Sequence, residues 1–301
     1  MKTIRQLVCS ALFKTYPATK KQEIMNEEQV SVEKILTEPD YDYEGFLNYI
    51  YDGHTYKLWY GRIGSGSAPA ALVLHGGPGG SHHNLVAFQA FRDGLGLKKY
   101  HLIGHSWGTT LAVGFAAKHP DGILSISLHS PVLSFPYYIN HVAPKLKQGL
   151  SCLNGKAGQI IDDYELNGVG TKSDYDEACM EFTRRHVTHT WPLPESMKKL
   201  IAARNTAVHD VMVASDSELN LPGNLKTVDV TSQLSRLDVP VLITCGSDDL
   251  CTPAFTKWQS DFANDHQYHV IQGSAHMTPV DRPLELIRIQ RAFIACIELS
   301  Q

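Results

Sequence analysis

The sequence lacks the patterns typical of membrane-spanning, nucleic-acid-binding or disulfide-rich proteins. Its 301 residues include no apolar run close to the roughly 20 residues that a helix needs to cross a bilayer. The net charge is -4 and lysine and arginine form no dense run, so we expect neither a membrane nor a nucleic-acid partner. The six cysteines form no CxxC pair and no tight cluster, which favours reduced thiols in a cytoplasmic protein.

The N-terminal part of the chain has little hydrophobic periodicity. Lys2 and Arg5 precede a short apolar run at 7–13, which is interrupted by a serine and followed by Lys14. A secretion signal would have a longer apolar run and a cleavage site of small residues, so we expect an N-terminal extension over 1–40.

Short apolar runs alternate with helical patterns in the rest of the chain. The runs have the length of buried strands and lie at 70–74, 101–103, 123–128, 239–245 and 267–271. This alternation predicts an α/β fold with a mostly parallel sheet and helices on both faces. Upstream, two β-prone runs at 46–51 and 56–60 flank Asp52-Gly53, which predicts a hairpin.

The alternation stops between about residues 134 and 234. That region is rich in helix-forming and charged residues, which predicts a helical cap inserted between two halves of the sheet. We therefore expect a first core half at 41–133, the cap at 134–234 and a second core half at 235–301.

Ser106 is the candidate nucleophile. It lies in Gly104-His105-Ser106-Trp107-Gly108, between a predicted strand and a predicted helix. A serine in G-x-S-x-G at such a junction sits on a sharp turn that exposes its hydroxyl.

A glycine-rich run, His75-Gly76-Gly77-Pro78-Gly79-Gly80, follows the first of the five predicted strands. Acyl transfer needs two hydrogen-bond donors directed at the developing oxyanion. We expect these donors to be the backbone N–H groups of Gly77 and Trp107.

A serine nucleophile also needs a base and an acid that orients the base, and on this kind of sheet they follow it as acid, then histidine. Asp248 and Asp249 both follow the fourth predicted strand, and either could be the acid. His276 follows the fifth strand and is the candidate base.

Other histidines do not form a convincing metal site. His82 and His83 are adjacent, and His186 and His189 have helical spacing, but neither pair has a matched third ligand. We expect no metal and no cofactor.

These motifs together resemble the proline iminopeptidase family, which includes the tricorn-interacting aminopeptidases and related L-amino acid amidases. The similarity rests on HGGPGG, GHSWGTTLA, a G-x-x-D-x-x-T-P loop and GSAHM, in that order, and extends from about residue 40 to the C-terminus. The resemblance implies an α/β-hydrolase fold, with Asp249 rather than Asp248 as the acid. It also implies release of a free N-terminal residue, often proline, from peptides or small amides.

The resemblance assigns a further role to Glu218. In the family, glutamates of the cap and nearby loops hold the α-ammonium of the substrate, and Glu218 matches one of them. A second glutamate follows the acid in some members, but Leu250 occupies that position here.

The chain is also shorter than the family pattern. Between Gly80 and Gly104 the family has a further strand and helix, so about 40 residues of the family pattern have no counterpart in this chain. In the family's sheet the strands that flank this segment are neighbours, so the glycine-rich turn and the nucleophile can remain adjacent. We expect the N-terminal hairpin to lose its pairing partner and to leave a strand edge exposed.

The expected activity is that of a serine aminopeptidase. Two alternatives remain: a general amidase or esterase that uses the same three residues, and a catalytically impaired deletion variant.

Overall fold

Five parallel strands form the central sheet of the computed structural model, which describes residues 41–51, 54–64, 71–79, 99–118 and 120–299. The strands of the chain are β1 (Tyr43–Tyr51), β2 (His54–Arg62), β3 (Ala71–Leu74), β4 (Tyr100–His105), β5 (Ile123–His129), β6 (Val241–Gly246) and β7 (His266–Ile271). The sheet has the order β3-β4-β5-β6-β7 with every neighbouring pair parallel. All five apolar runs therefore form strands of one sheet, as predicted.

Helices fill most of the remaining described chain. They are α1 (Trp107–Lys118), α2 (Phe135–Tyr137), α3 (Ala143–Gln148), α4 (Cys152–Gly155), α5 (Ala157–Asn167), α6 (Lys172–Phe182), α7 (Glu195–Ala202), α8 (Thr206–Met212), α9 (Thr231–Leu234), α10 (Pro253–Ser260), α11 (Thr278–Asp281) and α12 (Pro283–Glu298). Tyr138–Val142 and Thr183–Val187 form π-helical turns, and Asn224–Thr227 forms a 3-10 turn. Within the described ranges, no helix combines the length and apolar character that a membrane crossing requires.

Helices cover both faces of the sheet. Ala112 and Val113 of α1 are buried in one cluster with Leu102 and Leu128 of the strands. On the opposite face, α12 packs against the sheet through residues such as Ile294. This arrangement confirms the predicted α/β fold, and it explains why β4, β5 and β6 are buried along almost their whole length.

The shortened segment does not separate the strands on either side of it. β3 and β4 are hydrogen-bonded parallel neighbours, with Val73 opposite Ile103 and Leu74 opposite Gly104. The loops that follow these two strands therefore meet at the carboxyl edge of the sheet.

The predicted hairpin forms. β1 and β2 pair antiparallel, with Phe46 opposite Trp59, and the Asp52-Gly53 turn between them lies outside the described residues. Among the described strands, the hairpin is a two-stranded sheet of its own and does not pair with β3. Tyr43 and Phe46 of this hairpin are 50% and 65% exposed.

The two ends of the helical region meet at the sheet. Ser134 and Asp229 form an isolated antiparallel bridge, and the Ser134 hydroxyl donates to the Asp229 carboxylate at 2.6 Å. Phe135 N–H also donates to the carbonyl of Val228 at 3.0 Å. Because entry and exit are joined, we propose that 134–234 is an inserted cap between the core halves 41–133 and 235–301.

Candidate active site

Ser106 occupies a sharp turn between β4 and α1. Its φ is 54°, in the left-handed region that a residue with a side chain seldom adopts. The turn is held by hydrogen bonds from Ser106 N–H to the carbonyl of His129 at 3.0 Å and from Thr109 N–H to the carbonyl of Ser106 at 2.9 Å. Such strain at a non-glycine residue is typical of a functional site.

The two glycines of the motif allow the backbone to approach closely at this turn. A Cβ atom on Gly104 would lie 2.5 Å from the carbonyl oxygen of Gly108, and one on Gly108 would lie 2.2 Å from that of Leu74. Neither distance is compatible with a side chain. The start of α1 therefore packs directly on the end of β3, which brings the glycine-rich turn beside Ser106.

Gly77 and Trp107 lie with Ser106 around one pocket. Gly77 has a φ of 63°, and Trp107 is the first residue of α1, where backbone N–H groups have no partner within the helix. In the described part of the chain, neither N–H donates a hydrogen bond. Both donors are therefore available to a ligand atom near the Ser106 hydroxyl.

Asp249 and His276 form a buried pair. His276 Nδ1 lies 2.8 Å from Asp249 Oδ1, and the two residues are 5% and 1% exposed. Backbone N–H groups of Cys251 and Gly246 donate to the same carboxylate at 2.8 and 3.3 Å. The neighbouring Asp248 is exposed, and its carboxylate accepts a hydrogen bond from the Ser247 hydroxyl at 2.8 Å.

Each residue of this pair stabilises the charged form of the other. Burial by itself would raise the pKa of Asp249, but the interaction with His276 and the hydrogen bonds that Asp249 accepts hold its pKa below the usual value. Burial by itself would lower the pKa of His276, but the carboxylate of Asp249 outweighs it and raises that pKa. The aspartate is therefore charged, and it favours the protonated form of the histidine.

Two residues that the sequence analysis did not identify hold the backbone of His276. His105 Nε2 lies 3.0 Å from the His276 carbonyl, and the Ser130 hydroxyl donates to the same oxygen at 3.1 Å. Burial, followed by the nearby His276, lowers the pKa of His105 to about 3, so its ring is neutral and donates from Nε2. Both residues end or follow parallel strands, and that position is the only signal for them in the sequence.

The structure brings the candidate residues together as two groups. Asp249 and His276 form one group, and Ser106, Gly77, Trp107 and Glu218 surround the pocket. His105 joins the groups, because it directly precedes Ser106 and its ring centroid lies 5.1 Å from that of His276. Among the described residues, the Ser106 hydroxyl makes no hydrogen bond to His276. Such catalytic contacts often tighten only when substrate is bound.

The pocket beside Ser106 is open to solvent, spans about 420 Å³ with that opening included, and has a mostly apolar wall. Its lining includes Val132, Phe135, Tyr138, Val213, Leu221, Leu225 and Leu250. Glu218 is the only charged residue among the described lining residues, and it is half-buried. It has a φ of 59°, a second left-handed non-glycine residue at this site.

The loop that carries Glu218 is fixed by the cap. Ser217 donates from its backbone N–H and its hydroxyl to the carboxylate of Glu165 on α5, each at 3.0 Å. Asn220 donates to the same carboxylate at 3.0 Å. The hydrogen bonds on both sides of Glu218 therefore hold it in the left-handed conformation that directs it to the pocket.

Three potential metal ligands cluster in the described residues. One ligand atom each from Asp249, Cys251 and His276 lies within 4.8 Å of the others. Asp249 and His276 are already hydrogen-bonded to each other, and burial raises the pKa of the Cys251 thiol. The arrangement therefore fits an acid–base pair better than a metal site.

The histidine pairs of the sequence analysis have other surroundings. His186 and His189 place ring nitrogens 2.9 and 3.4 Å from the carbonyl oxygens of Asp248 and Gly273. His82 and His83 lie outside the described residues.

Comparison with known proteins identifies relatives of this chain. Residues 64–151 match a family model described as the alpha/beta hydrolase fold. A proline iminopeptidase of Heyndrickxia coagulans is 29% identical over 272 residues, which cover 77% of this chain and 93% of that protein. A proline iminopeptidase of Saccharolobus solfataricus is 26% identical, with coverage of 79% and 88%.

The length of the alignment supports a missing segment. The alignment with the H. coagulans protein spans 272 positions, but 77% of 301 residues is about 232 residues of this chain. About 40 positions of that protein therefore have no counterpart here, which agrees with the size of the expected deletion.

Solved structures show the same fold. A proline iminopeptidase from Mycobacterium smegmatis superposes with a TM-score of 0.72 at 23% identity, covering 85% of this chain and 99% of that one. VinJ superposes with a TM-score of 0.74 at 21% identity, covering 86% and 99%. The chain is therefore a hydrolase of the α/β-hydrolase fold, related to the proline iminopeptidases.

Proposed function

We propose that this hydrolase is a serine aminopeptidase that releases an N-terminal residue, preferably proline, from peptides or small amides. The proposal rests on the surroundings of Ser106. A strained serine, two free backbone donors and one carboxylate line the same pocket, and His105, which directly precedes the serine, lies against the buried Asp–His pair.

In the proposed mechanism, the chain hydrolyses its substrate in two acyl-transfer steps. His276 accepts the proton of the Ser106 hydroxyl as the oxygen attacks the carbonyl carbon of the first residue. The N–H groups of Gly77 and Trp107 stabilise the oxyanion, and His276 then gives the proton to the leaving amine. Water, activated by His276, attacks the acyl-enzyme and frees the acid and the serine. Asp249 orients the imidazole and stabilises its charged form throughout.

The proposal that the enzyme is an aminopeptidase depends on Glu218. A lone carboxylate in an otherwise apolar pocket attracts a cation much more strongly than it would in open water, because the surrounding dielectric is lower. The free α-ammonium of an N-terminal residue is such a cation, and it lies close to the first carbonyl carbon. An N-acylated substrate has no such charge.

The test compares Glu218→Gln with the wild type on proline p-nitroanilide and its N-acetylated form. We expect the variant to lose at least ~10-fold in kcat/KM on the free amine, because it loses the attraction between the two charges. Asp216→Asn is the matched control, because Asp216 lies on the same loop but is exposed and faces Arg204. Equal kcat/KM values for wild type and Glu218→Gln on the free amine would contradict the proposal.

A second candidate is a general amidase or esterase with the same catalytic residues. Leu250 favours it, because this apolar side chain lines the pocket at the position of the family's second glutamate. That enzyme would hydrolyse acetylated and free-amine substrates at similar rates.

We further propose that the chain acts in the cytoplasm. Cys152, Cys179, Cys245 and Cys251 are free thiols, and Cys245 and Cys251 are buried. Buried unpaired thiols are typical of proteins kept in a reducing compartment.

A further inference from the structure

A segment of the cap contacts both loops that carry the acid and the base. Residues 186–190, here called the linking segment, begin within the π-helical turn Thr183–Val187. Single π-helical turns are frequent at functional sites. The linking segment lies within the proposed cap, but many of its hydrogen bonds go to the loops that follow β6 and β7.

The backbone of the linking segment is hydrogen-bonded to both loops. The carbonyl of His186 accepts from Leu250 N–H and from His276 N–H, each at 3.1 Å. The carbonyl of Val187 accepts from Met277 N–H at 2.7 Å. The residue after Asp249 and the proposed base itself are thus attached to the same cap carbonyl.

Asp281 of α11 strengthens this attachment from the core side. Its Oδ1 accepts from the hydroxyls of Thr188 and Thr190, both at 2.8 Å, and from the N–H of Thr190 at 3.1 Å. Its Oδ2 accepts from Ala275 N–H at 2.9 Å, and both oxygens lie near His189 N–H at 3.0 and 3.2 Å. Thr188 and Ala275 are 0% exposed.

We propose that Asp281 is a positioning residue that fixes His276 relative to the cap. The proposal rests on the proposed function, since it concerns the base of that reaction. One carboxylate joins Ala275, which directly precedes His276, to three consecutive residues of the linking segment. A negatively charged acceptor fits this place because every group that faces it is a donor.

Asp281 acts on the base and not on the ammonium site. The loop of Glu218 is held by Glu165 through Ser217 and Asn220, and Asp281 makes none of those contacts in the described residues. A change at Asp281 therefore displaces His276, whereas the contacts that hold Glu218 are retained.

The first test is Asp281→Asn, which keeps the shape but turns one acceptor oxygen into a donor that opposes N–H and O–H groups. We expect kcat on proline p-nitroanilide to fall by roughly 10- to 100-fold, because small displacements of catalytic groups have effects of this size. KM should change by no more than about twofold, since ground-state binding at Glu218 is retained. Asp176→Asn is the control, because Asp176 forms an exposed ion pair with Lys172 on the same cap. A folded Asp281→Asn variant with unchanged kcat, or with KM alone altered, would overturn the proposal.

The second test does not depend on activity. A proton NMR spectrum below the pKa of His276 should contain a low-field signal from the proton between His276 Nδ1 and Asp249 Oδ1. We expect this signal to shift or disappear in Asp281→Asn and in the double variant Thr188→Val/Thr190→Val, and to stay in Asp176→Asn. If Asp281→Asn does not fold, the double variant provides the test in its place. An unchanged signal in a folded variant would overturn the positioning role even if the wild type proved inactive on proline substrates.

Discussion

At the scale of single residues, the pairing of Asp249 with His276 determines how the site should respond to pH. The carboxylate at 2.8 Å raises the pKa of the imidazole above its ordinary 6.5 despite complete burial. His105 is also buried, and burial lowers its pKa to about 3. Its ring is hydrogen-bonded to a backbone carbonyl and not to a carboxylate. The pKa values of two neighbouring histidines are therefore shifted in opposite directions, because only His276 is hydrogen-bonded to a carboxylate.

This pairing gives a prediction for the pH dependence of catalysis. The proposed base must be neutral to accept the Ser106 proton. The value of kcat is therefore highest above the pKa of His276 and falls as the pH drops through that pKa. Because that pKa is raised, the midpoint of the acid limb of the kcat profile should lie above 6.5. The measurement is kcat for proline p-nitroanilide across the acid to neutral range. A midpoint at or below 6.5 would show that Asp249 does not control the base.

The sequence identifies candidate residues that belong to motifs, but not those that act through tertiary contacts. Ser106 and His276 are recognisable because each follows a strand within a characteristic run. His105 contacts the carbonyl of His276 from 171 positions away, and Asp281 contacts the N–H of Ala275 from six positions away. Nothing local in the sequence marks such contacts, because their partners are determined by the packing of the loops.

At the scale of elements, the close approach of α1 to β3 joins the nucleophile to the glycine-rich turn. It depends on a missing side chain at Gly108, where a Cβ atom would lie 2.2 Å from the carbonyl oxygen of Leu74. Both atoms in that contact are parts of regular elements, so neither can move without displacing the helix from the sheet.

We predict opposite effects for two glycine substitutions in α1. Gly108→Ala should destabilise the protein by ~2 kcal/mol or more, because the added methyl overlaps backbone atoms. Gly114→Ala should be neutral or stabilise by up to ~1 kcal/mol, because the nearest atom to its Cβ is 3.8 Å away and alanine favours the helix. Urea unfolding of both variants measures the difference. Equal stabilities would show that α1 is not packed on β3 as described.

Strands were easier to predict from the sequence than the helices of the cap. The inner strands β4, β5 and β6 are buried on both faces, and strands in that position are recognisable as short apolar runs. The cap helices are short and are interrupted by π-helical turns. Some of their polar residues, such as Glu165, form hydrogen bonds with loops that are distant in sequence. The sequence predicts a helical region at 134–234, but not the contacts of the linking segment.

At the scale of the whole molecule, the glycine-rich turn and the nucleophile lie side by side although the connection from β3 to β4 is short. β3 remains beside β4, so the loops with Gly77 and Ser106 still meet. The hairpin of β1 and β2 stays outside the five-stranded sheet in the described residues, and its Phe46 is exposed. The acid and base loops come from β6 and β7 at the far side of the sheet.

The most direct test of the account is the hydrolysis of proline p-nitroanilide and N-acetylproline p-nitroanilide by the wild type and by Ser106→Ala. We predict turnover of the free-amine substrate by the wild type, little turnover of the acetylated one, and loss of activity in the variant. This result would establish a serine aminopeptidase in which the shortened sheet still assembles its site. Equal turnover of both substrates, or activity that survives in Ser106→Ala, would contradict it.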